Sequence, residues 1–372
     1  MKHVGAIVGA KRTIAVPKEN AMDILRQLHA MDLVDRTRKT VQQRGEVLIP
    51  LVGEPLIDLA VYRARTVEGT SLRPRSVPRD PQRILRERLD DEGIRPEDAP
   101  RKWKRIGDVV VLRVPPSGRK RAHAIGEIYG RVLGAKTVVD DISGVHGPLR
   151  TPDFRVLWGN GTKTVHVEAG VRYALDVAHV MFSPGNIAER MGIATRVHPG
   201  AIVVDLFAGI GYFTLPVALF SGAKTVHACE LNPVAFRFLL ENVRINRATN
   251  VVPLEGDCAK IAPAGVADWV IMGHFDAQRY LDVAFRCLRK NGTIVYHELC
   301  PKEQYPDGLT QRLSASARAH WMRVTSMRTR IVKSYAPGIV HAIAEVAVTP
   351  DPRGRSTETL MKGHSVRNSV IE

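Results

Sequence analysis

Cysteine is scarce in this chain: Cys229, Cys258, Cys287 and Cys300 are the four present in 372 residues. None belongs to a Cys-x-x-Cys pair and none has histidine at zinc-ligand spacing, so neither a disulfide framework nor a metal site is expected. They read as reduced thiols of a cytoplasmic protein. Also absent is any apolar run of the roughly eighteen residues that a membrane span requires. The apolar stretch behind Met1 is too short for a secretory leader. No membrane partner is therefore expected, and no internal repeat is found. Acids are outnumbered: 54 Lys and Arg against 38 Asp and Glu give a formal net charge of +16. Such an excess speaks of partners rather than fold, and nucleic acid is the first candidate. The length allows two or three domains and a sizeable core.

The chain is organised around residues 202–211, where an apolar, β-branched run ends at Asp205 and a turn carrying Gly209 and Gly211 leads into a helix. Strand, glycine turn and helix begin a nucleotide-binding unit, because a turn without Cβ atoms lets a ligand approach the backbone. The next strand ends in Glu230, a carboxylate suited to the two hydroxyls of a ribose. A third glycine is missing, since Thr214 occupies its place. That argues against a dinucleotide and its pyrophosphate and favours an adenosine ligand, S-adenosylmethionine (AdoMet) above others.

Along the chain, residues 1–52 form a small α/β piece, with strands expected at 13–16 and 46–51 and a helix at 18–31. It suits either an appended fold without chemistry or an RNA-positioning module. The Arg-, Pro- and Ser-rich stretch 53–79 reads as a linker. Residues 80–180 read as a second domain with helices at 81–89 and 124–133 and strands at 107–114, 137–140, 164–167 and 171–177. A hairpin-type turn is expected at 158–161. Its cluster Arg101-Lys-Trp-Lys-Arg105, with Arg119, Lys120 and Arg121, suits a phosphate-contacting surface or a solvated charged face. From 181 to 349 strands and helices alternate, with strands at 202–205, 224–229, 250–254, 267–272 and 293–297. A final antiparallel pair is expected near 323–333 and 339–348, giving seven strands. Asn232 and Pro233 are favoured helix-starting residues. The polar tail 350–372 is expected to be disordered.

Ligands in such sheets lie beyond the carboxyl ends of the strands. Four ends therefore converge: the turn with Phe207 and Gly209, then Glu230, then Asp257 and Cys258, then residues 272–275. Asp257 is placed to accept from an exocyclic amine or to face solvent. Gly273 removes bulk and His274 supplies a titratable ring, unless it is an ordinary loop histidine. Upstream, Ser183 and Arg190 are seven residues apart and share a helical face if Pro184 starts a helix. They suit a carboxylate or ribose at the ligand's edge, or simply a cap and a surface arginine.

Four stretches together, Asp205-Leu-Phe-Ala-Gly-Ile-Gly211, Glu230-Leu-Asn-Pro233, Glu241-Asn-Val-Arg-Ile-Asn246 and Lys333-Ser-Tyr-Ala-Pro-Gly338, resemble the archaeal tRNA guanine-37 N1-methyltransferase superfamily. The resemblance covers about 80–348. Its methylating members carry Asn-Leu-Pro after the fourth strand and Tyr-Phe-Ser-Pro-Arg before the fold; this chain has Met272-Gly-His-Phe275 and Met181-Phe-Ser-Pro-Gly185. It is more similar to the wybutosine-synthesis branch, which carries Met-Gly-aromatic there and resembles Arg101-Lys-Trp-Lys-Arg-Ile-Gly-Asp108 too. The small segment 1–52 is more usual in the methylating branch. The resemblance implies an α/β fold, class I methyltransferase-like and of Rossmann type, with smaller N-terminal domains. It implies transfer of the 3-amino-3-carboxypropyl group of AdoMet to 4-demethylwyosine at position 37 of tRNA(Phe), by a monomer that engages the anticodon region. By matching positions, Ser183, Arg190, Glu230, Asp257 and, through its backbone, Cys258 contact the cofactor, beside Phe207 and Gly209. No residue is marked as a catalytic base, and Glu189 is given no role. N1-methylation of guanine 37, and tRNA binding without catalysis, are the competing readings.

Overall fold

The computed structural model describes residues 12–55, 57–67, 72, 80–147 and 149–352. Most of the expected disordered tail, and part of the expected linker, lie outside these. The chain divides into two compact units, Met1–Ile84 and Leu85–Glu372.

The first unit contains β1 (Arg12–Pro17), α1 (Ala21–Ala30), β2 (Val41–Gln43), β3 (Glu46–Leu51) and β4 (Arg65–Val67). The strands form an antiparallel sheet in the order β2-β3-β1-β4. Helix α1 brings Ile24 and Leu28 down onto Ile14, Val16 and Ile49, as its apolar spacing requires. Residues 65–67 differ from the linker expectation. They pair with Thr13, Ile14 and Ala15 and so close the free edge of β1.

Helix α2 (Pro81–Asp91) carries Leu85 and Leu89 into a core with Val110, Leu112, Ile125 and Tyr129. There β5 (Lys104–Ile106), β6 (Val109–Leu112), α3 (Ala122–Leu133), β7 (Thr137–His146) and β8 (Thr151–Gly159) build a four-stranded sheet in sequential order. A short ribbon follows, β9 (Lys163–Glu168) against β10 (Val171–Asp176). The turn at 158–161 is thus not a hairpin. Strand β8 pairs with β7 and β9 with β10, so the chain changes sheets at that point.

The remainder is an alternating α/β fold. Its elements are α4 (Ile187–Arg196), β11 (Ile202–Asp205), α5 (Thr214–Phe220), β12 (Thr225–Glu230), α6 (Pro233–Ile245), β13 (Val251–Glu255) and α7 (Cys258–Ile261), then β14 (Ala267–Met272), α8 (Leu281–Cys287), β15 (Leu288–Pro301), α9 (Asp307–Ala319), β16 (Met322–Ala336) and β17 (Ile339–Pro350). Seven strands run in the order β13-β12-β11-β14-β15-β17-β16. The first five are parallel neighbours; β17 is antiparallel to both β15 and β16. All six residues of β14 are buried, as a strand covered on both faces demands. Strand order reverses between β11 and β14, and this opens a crevice at their carboxyl ends.

Two asparagines fasten the ribbon to this fold. Asn242 is fully buried on α6. Its side chain accepts from the Ala174 N–H at 2.7 Å and donates to the carbonyls of Ala174 at 3.1 Å and Ile210 at 3.0 Å. One turn later Asn246 accepts from the Arg172 N–H at 2.9 Å and donates to its carbonyl at 2.6 Å. The pair gives β10 the hydrogen bonds that another strand would have supplied.

Candidate active site

A cavity of about 260 Å³ lies at the crevice. The loops after β11, β12, β13 and β14 all reach it, the four strand ends expected to converge. A wider groove of about 900 Å³ sits at the opposite edge of the sheet, beside Arg289, His320 and Trp321, and is open to solvent. It is lined by the first residues of β15 and β16 and the last of β17, away from the carboxyl ends of the parallel strands.

At one end of the cavity the glycine turn and Glu230 are built together. Gly209 has φ of +57°, a conformation that costs a glycine little. Its N–H donates to Glu230 Oε2 at 2.7 Å, while Glu230 Oε1 accepts from the Asn232 N–H at 2.7 Å. Burial raises the carboxyl above its ordinary range, and those backbone donors oppose the rise. Each oxygen keeps a second lone pair for a ligand hydroxyl. Thr214, in place of a third glycine, donates its hydroxyl to Asp205 at 2.8 Å. Asp205 is wholly buried behind the turn, and desolvation lifts it to about 7. It supports the turn and does not line the cavity.

Asp257 caps α7 by accepting from the Ala259 N–H at 2.9 Å, and its other oxygen remains for a donor. Cys258 lines the cavity, with a thiol that burial pushes up to about 12. It offers a backbone rather than a thiolate. Phe207 packs edge-on to Tyr280 at 5.2 Å and lies 5.1 Å from the His274 ring. An adenosine fits this end: aromatic walls for a base, a carboxylate for its amine and another for its ribose.

The other end is built from Gly273, His274, Phe275, Phe213 and Arg150. A Cβ on Gly273 would sit 2.5 Å from Cε2 of Phe213, so the ring occupies the room the glycine leaves. The His274 Nδ1 accepts from the Asp276 N–H at 3.1 Å, which leaves the Nε2–H as a donor. Burial, then Arg150, moves its ring below the ordinary histidine range, with Asp276 opposing. The Arg150 guanidinium lies 5.2 Å over the Phe275 ring. Tyr335, near the end of β16, closes edge-on upon Phe275 at 5.4 Å. Sequence reasoning missed Arg150 because nothing in a solvated loop foretells that it lands here. It also missed His297 and His341, which lie among apolar strand residues and read as core.

Ser183 and Arg190 stand elsewhere than expected. Neither lines the cavity. The Arg190 guanidinium is buried in an ion pair with Glu168 of β9, over the rings of Phe182 at 4.8 Å and Tyr212 at 5.5 Å. It also donates to the Ser183 carbonyl at 2.6 Å, so the two meet as their spacing suggests. Glu168, 22 residues upstream, captures the charge, and Arg190 supports the wall from behind Tyr212. Glu189 is likewise buried and paired, with Arg330.

In the basic cluster, Trp103 is half-buried, edge-on to Tyr129 at 6.0 Å. Arg105 closes the end of α3 by donating to the carbonyls of Leu133 at 2.6 Å and Gly134 at 3.2 Å. Lys102 and Lys104 remain exposed. No helix among the described residues is long and apolar enough to cross a membrane.

The TRM5/TYW2 methyltransferase domain matches residues 164–325 and the TYW2 N-terminal domain matches 82–162. The Pyrococcus horikoshii tRNA(Phe) (4-demethylwyosine(37)-C(7)) aminocarboxypropyltransferase is 36% identical over 251 residues, 67% of this chain and 90% of that protein. The Pyrococcus abyssi tRNA (guanine(37)-N(1))-methyltransferase Trm5b is 31% identical over 333 residues, 87% of this chain and 95% of that one. The structure of M. jannaschii TYW2 in complex with AdoMet superposes with a TM-score of 0.57 at 32% identity, covering 67% of this chain and 100% of that one. The parallel sheet with its antiparallel end, the crevice and these matches agree, and the chain belongs to the TYW2 branch of the TRM5/TYW2 family, with a class I methyltransferase-like fold.

Proposed function

We propose that this protein is an AdoMet-dependent transferase that moves the 3-amino-3-carboxypropyl group onto carbon 7 of 4-demethylwyosine at position 37 of tRNA(Phe). The observation that carries the reading is the contrast between the two ends of the cavity. One end has an adenosine's complement of groups in Glu230, Asp257 and Phe207. The other has Gly273, where the methylating branch carries asparagine, with the Phe213 ring against it. The adenosine end is common to both reactions, so the transferred group is chosen at the other end.

Bound AdoMet supplies a sulfonium whose three attached carbons are all activated, so position alone selects the one that reacts. Glu230 would hold the ribose, Asp257 the adenine amine, and the Gly209 and Cys258 backbones would border them. Arg190 would keep Tyr212 and the wall in place. The Met272–Phe275 segment would set where the methionine tail lies. Arg150 and the His274 N–H would face the target base. The segment 80–180 would meet the tRNA near the anticodon, with 181–349 holding the donor. The protein would act as a monomer in the cytoplasm, where four buried free cysteines stay reduced.

Chromatography of the spent donor tests the reading. Incubation with tRNA carrying 4-demethylwyosine is expected to yield 5′-methylthioadenosine and a position-37 nucleoside heavier by the aminocarboxypropyl group. S-adenosylhomocysteine with methylated guanine would establish the competing reaction.

A further inference from the structure

Two histidines stand at the reactive end of the cavity. The last parallel pair of β14 and β15 is Met272 with Tyr296, and His297 follows immediately. His341 lies near the start of β17, opposite Leu299. The sheet thus sets both rings just past the carboxyl edge, beside Gly273 and Phe275. Each residue is 3% exposed, and both line the cavity. Nδ1 of His297 and Nε2 of His341 are 3.2 Å apart and share a hydrogen bond. Their other nitrogens, His297 Nε2 and His341 Nδ1, are buried without a partner.

Burial drives His297 down to about 3, with His341 adding to the effect. It drives His341 to about 4, with Lys333 and Arg330 of β16 adding repulsion. Both rings are therefore neutral near neutral pH. One proton lies between them, so one ring donates and the other accepts. Whichever way it lies, one of the two remaining nitrogens carries N–H and the other a bare lone pair. A buried pair left half-satisfied at a cavity wall has a strong structural cost unless a ligand completes it.

The other acids and bases of the cavity are engaged or distant. Glu230 and Asp257 each hold backbone amides at β12 and β13. Strand β12 is three strand spacings, roughly 14 Å, from β15. His274 presents N–H, and the Tyr212 hydroxyl donates to the Met181 carbonyl. Asp276 is exposed to solvent.

We propose that the His297–His341 pair accepts the proton that the target ring carbon gives up. This rests on the transferase reading above. The ring carbon bonds to the tail carbon next to sulfur; the bond from that carbon to sulfur breaks, and its electron pair stays on sulfur. Methylthioadenosine leaves neutral, and the positive charge passes to the tricyclic ring. The attacked carbon now bears both its hydrogen and the new substituent. That hydrogen leaves as a proton to the bare imidazole nitrogen, its bonding pair returns to the ring, and aromaticity is restored. The proton comes from a cationic ring, a strong acid, so a neutral imidazole suffices, and the second ring shares the charge through the common hydrogen bond.

The test is single-turnover transfer to tRNA protonated or deuterated at the target carbon, with wild type, His297→Gln and His341→Gln. Wild type is expected to show little isotope effect, because carbon–carbon bond formation limits it. Each variant should slow roughly a hundredfold and acquire a clear primary isotope effect, with AdoMet affinity unchanged by calorimetry. Rates like wild type in both variants, or slowing without an isotope effect, overturn the proposal. Nitrogen-15 NMR of the free wild-type protein gives a readout that needs no variant and no turnover. Two neutral rings sharing one proton at pH 7 are expected, and an imidazolium in either ring overturns it. The spent donor of wild type separates the two levels: S-adenosylhomocysteine defeats the transferase reading itself, whereas methylthioadenosine with undisturbed variants defeats only the role of the pair.

Discussion

Glu230 braces a turn and faces a ligand with the same carboxylate. Its oxygens hold the N–H groups of Gly209 and Asn232, so Glu230→Ala removes a ligand for ribose and leaves two backbone donors unmatched. Each charge-assisted bond to ribose is worth roughly 1.5–3 kcal/mol, and each orphaned donor costs about 1–3 kcal/mol. AdoMet affinity in a calorimetric titration should fall at least tenfold, and the chemical denaturation midpoint should fall with it; an unchanged titration would remove Glu230 from the ligand set. At this scale the sequence was legible where partners are local. A glycine turn and an acid at the end of the next strand announce each other over 21 residues. It was illegible where the partner is remote. Arg190 looked free for a ligand until Glu168 took its charge, and Arg105 looked ready for phosphate until the end of α3 claimed its donors. His297 and His341 are 44 residues apart, and only the pairing of β15 with β17 brings their rings together.

The loop after β14 is fitted to one aromatic ring. With Phe213 pressed against Gly273, and Phe213 itself edge-on to His297 at 5.4 Å, a side chain at 273 has to move the ring. Gly273→Asn alone is therefore expected to cost about 1–3 kcal/mol, as overpacking does, and to abolish transfer without creating methylation. Adding Phe213→Leu should restore much of the stability. Thermal unfolding and chromatography of the spent donor read both effects, and efficient methylation by the single variant would show that the ring is no obstacle. Elements with strong local signals were legible: the β-branched run of β11, and α6 behind Asn232, whose side chain accepts from the N–H groups of Val234 and Ala235 as a cap should. Strand β8 was not, because Pro152 and a mixture of polar and apolar residues blur its alternation, and β4 is too short to stand out. Both exist because a neighbouring strand offers a free edge.

The charge of the whole molecule, +16, favours an RNA partner, yet Arg105 of the basic cluster serves the fold. Arg105 is bound to carbonyls, so only Lys102 and Lys104 of the three residues flanking Trp103 and entering β5 are offered as phosphate ligands. Changing both lysines to Ala should weaken tRNA binding and flatten the logarithmic salt dependence by about 2 units, near 0.9 for each phosphate no longer neutralised. AdoMet binding should stay as it was. A slope equal to that of wild type would make this a solvated face. Fold class was readable from patterning; how the ribbon is joined to the alternating α/β fold was not, since Asn242 and Asn246 are only two polar residues on a helix until β10 lies beside them. That join has an evolutionary consequence. Both asparagines grip the main chain of Arg172 and Ala174, which every residue but proline supplies in full. The exposed side chain at 172 can therefore drift without undocking the ribbon. That face of the ribbon is free to diversify while the Ile210 carbonyl, and the turn that carries it, stay anchored to Asn242.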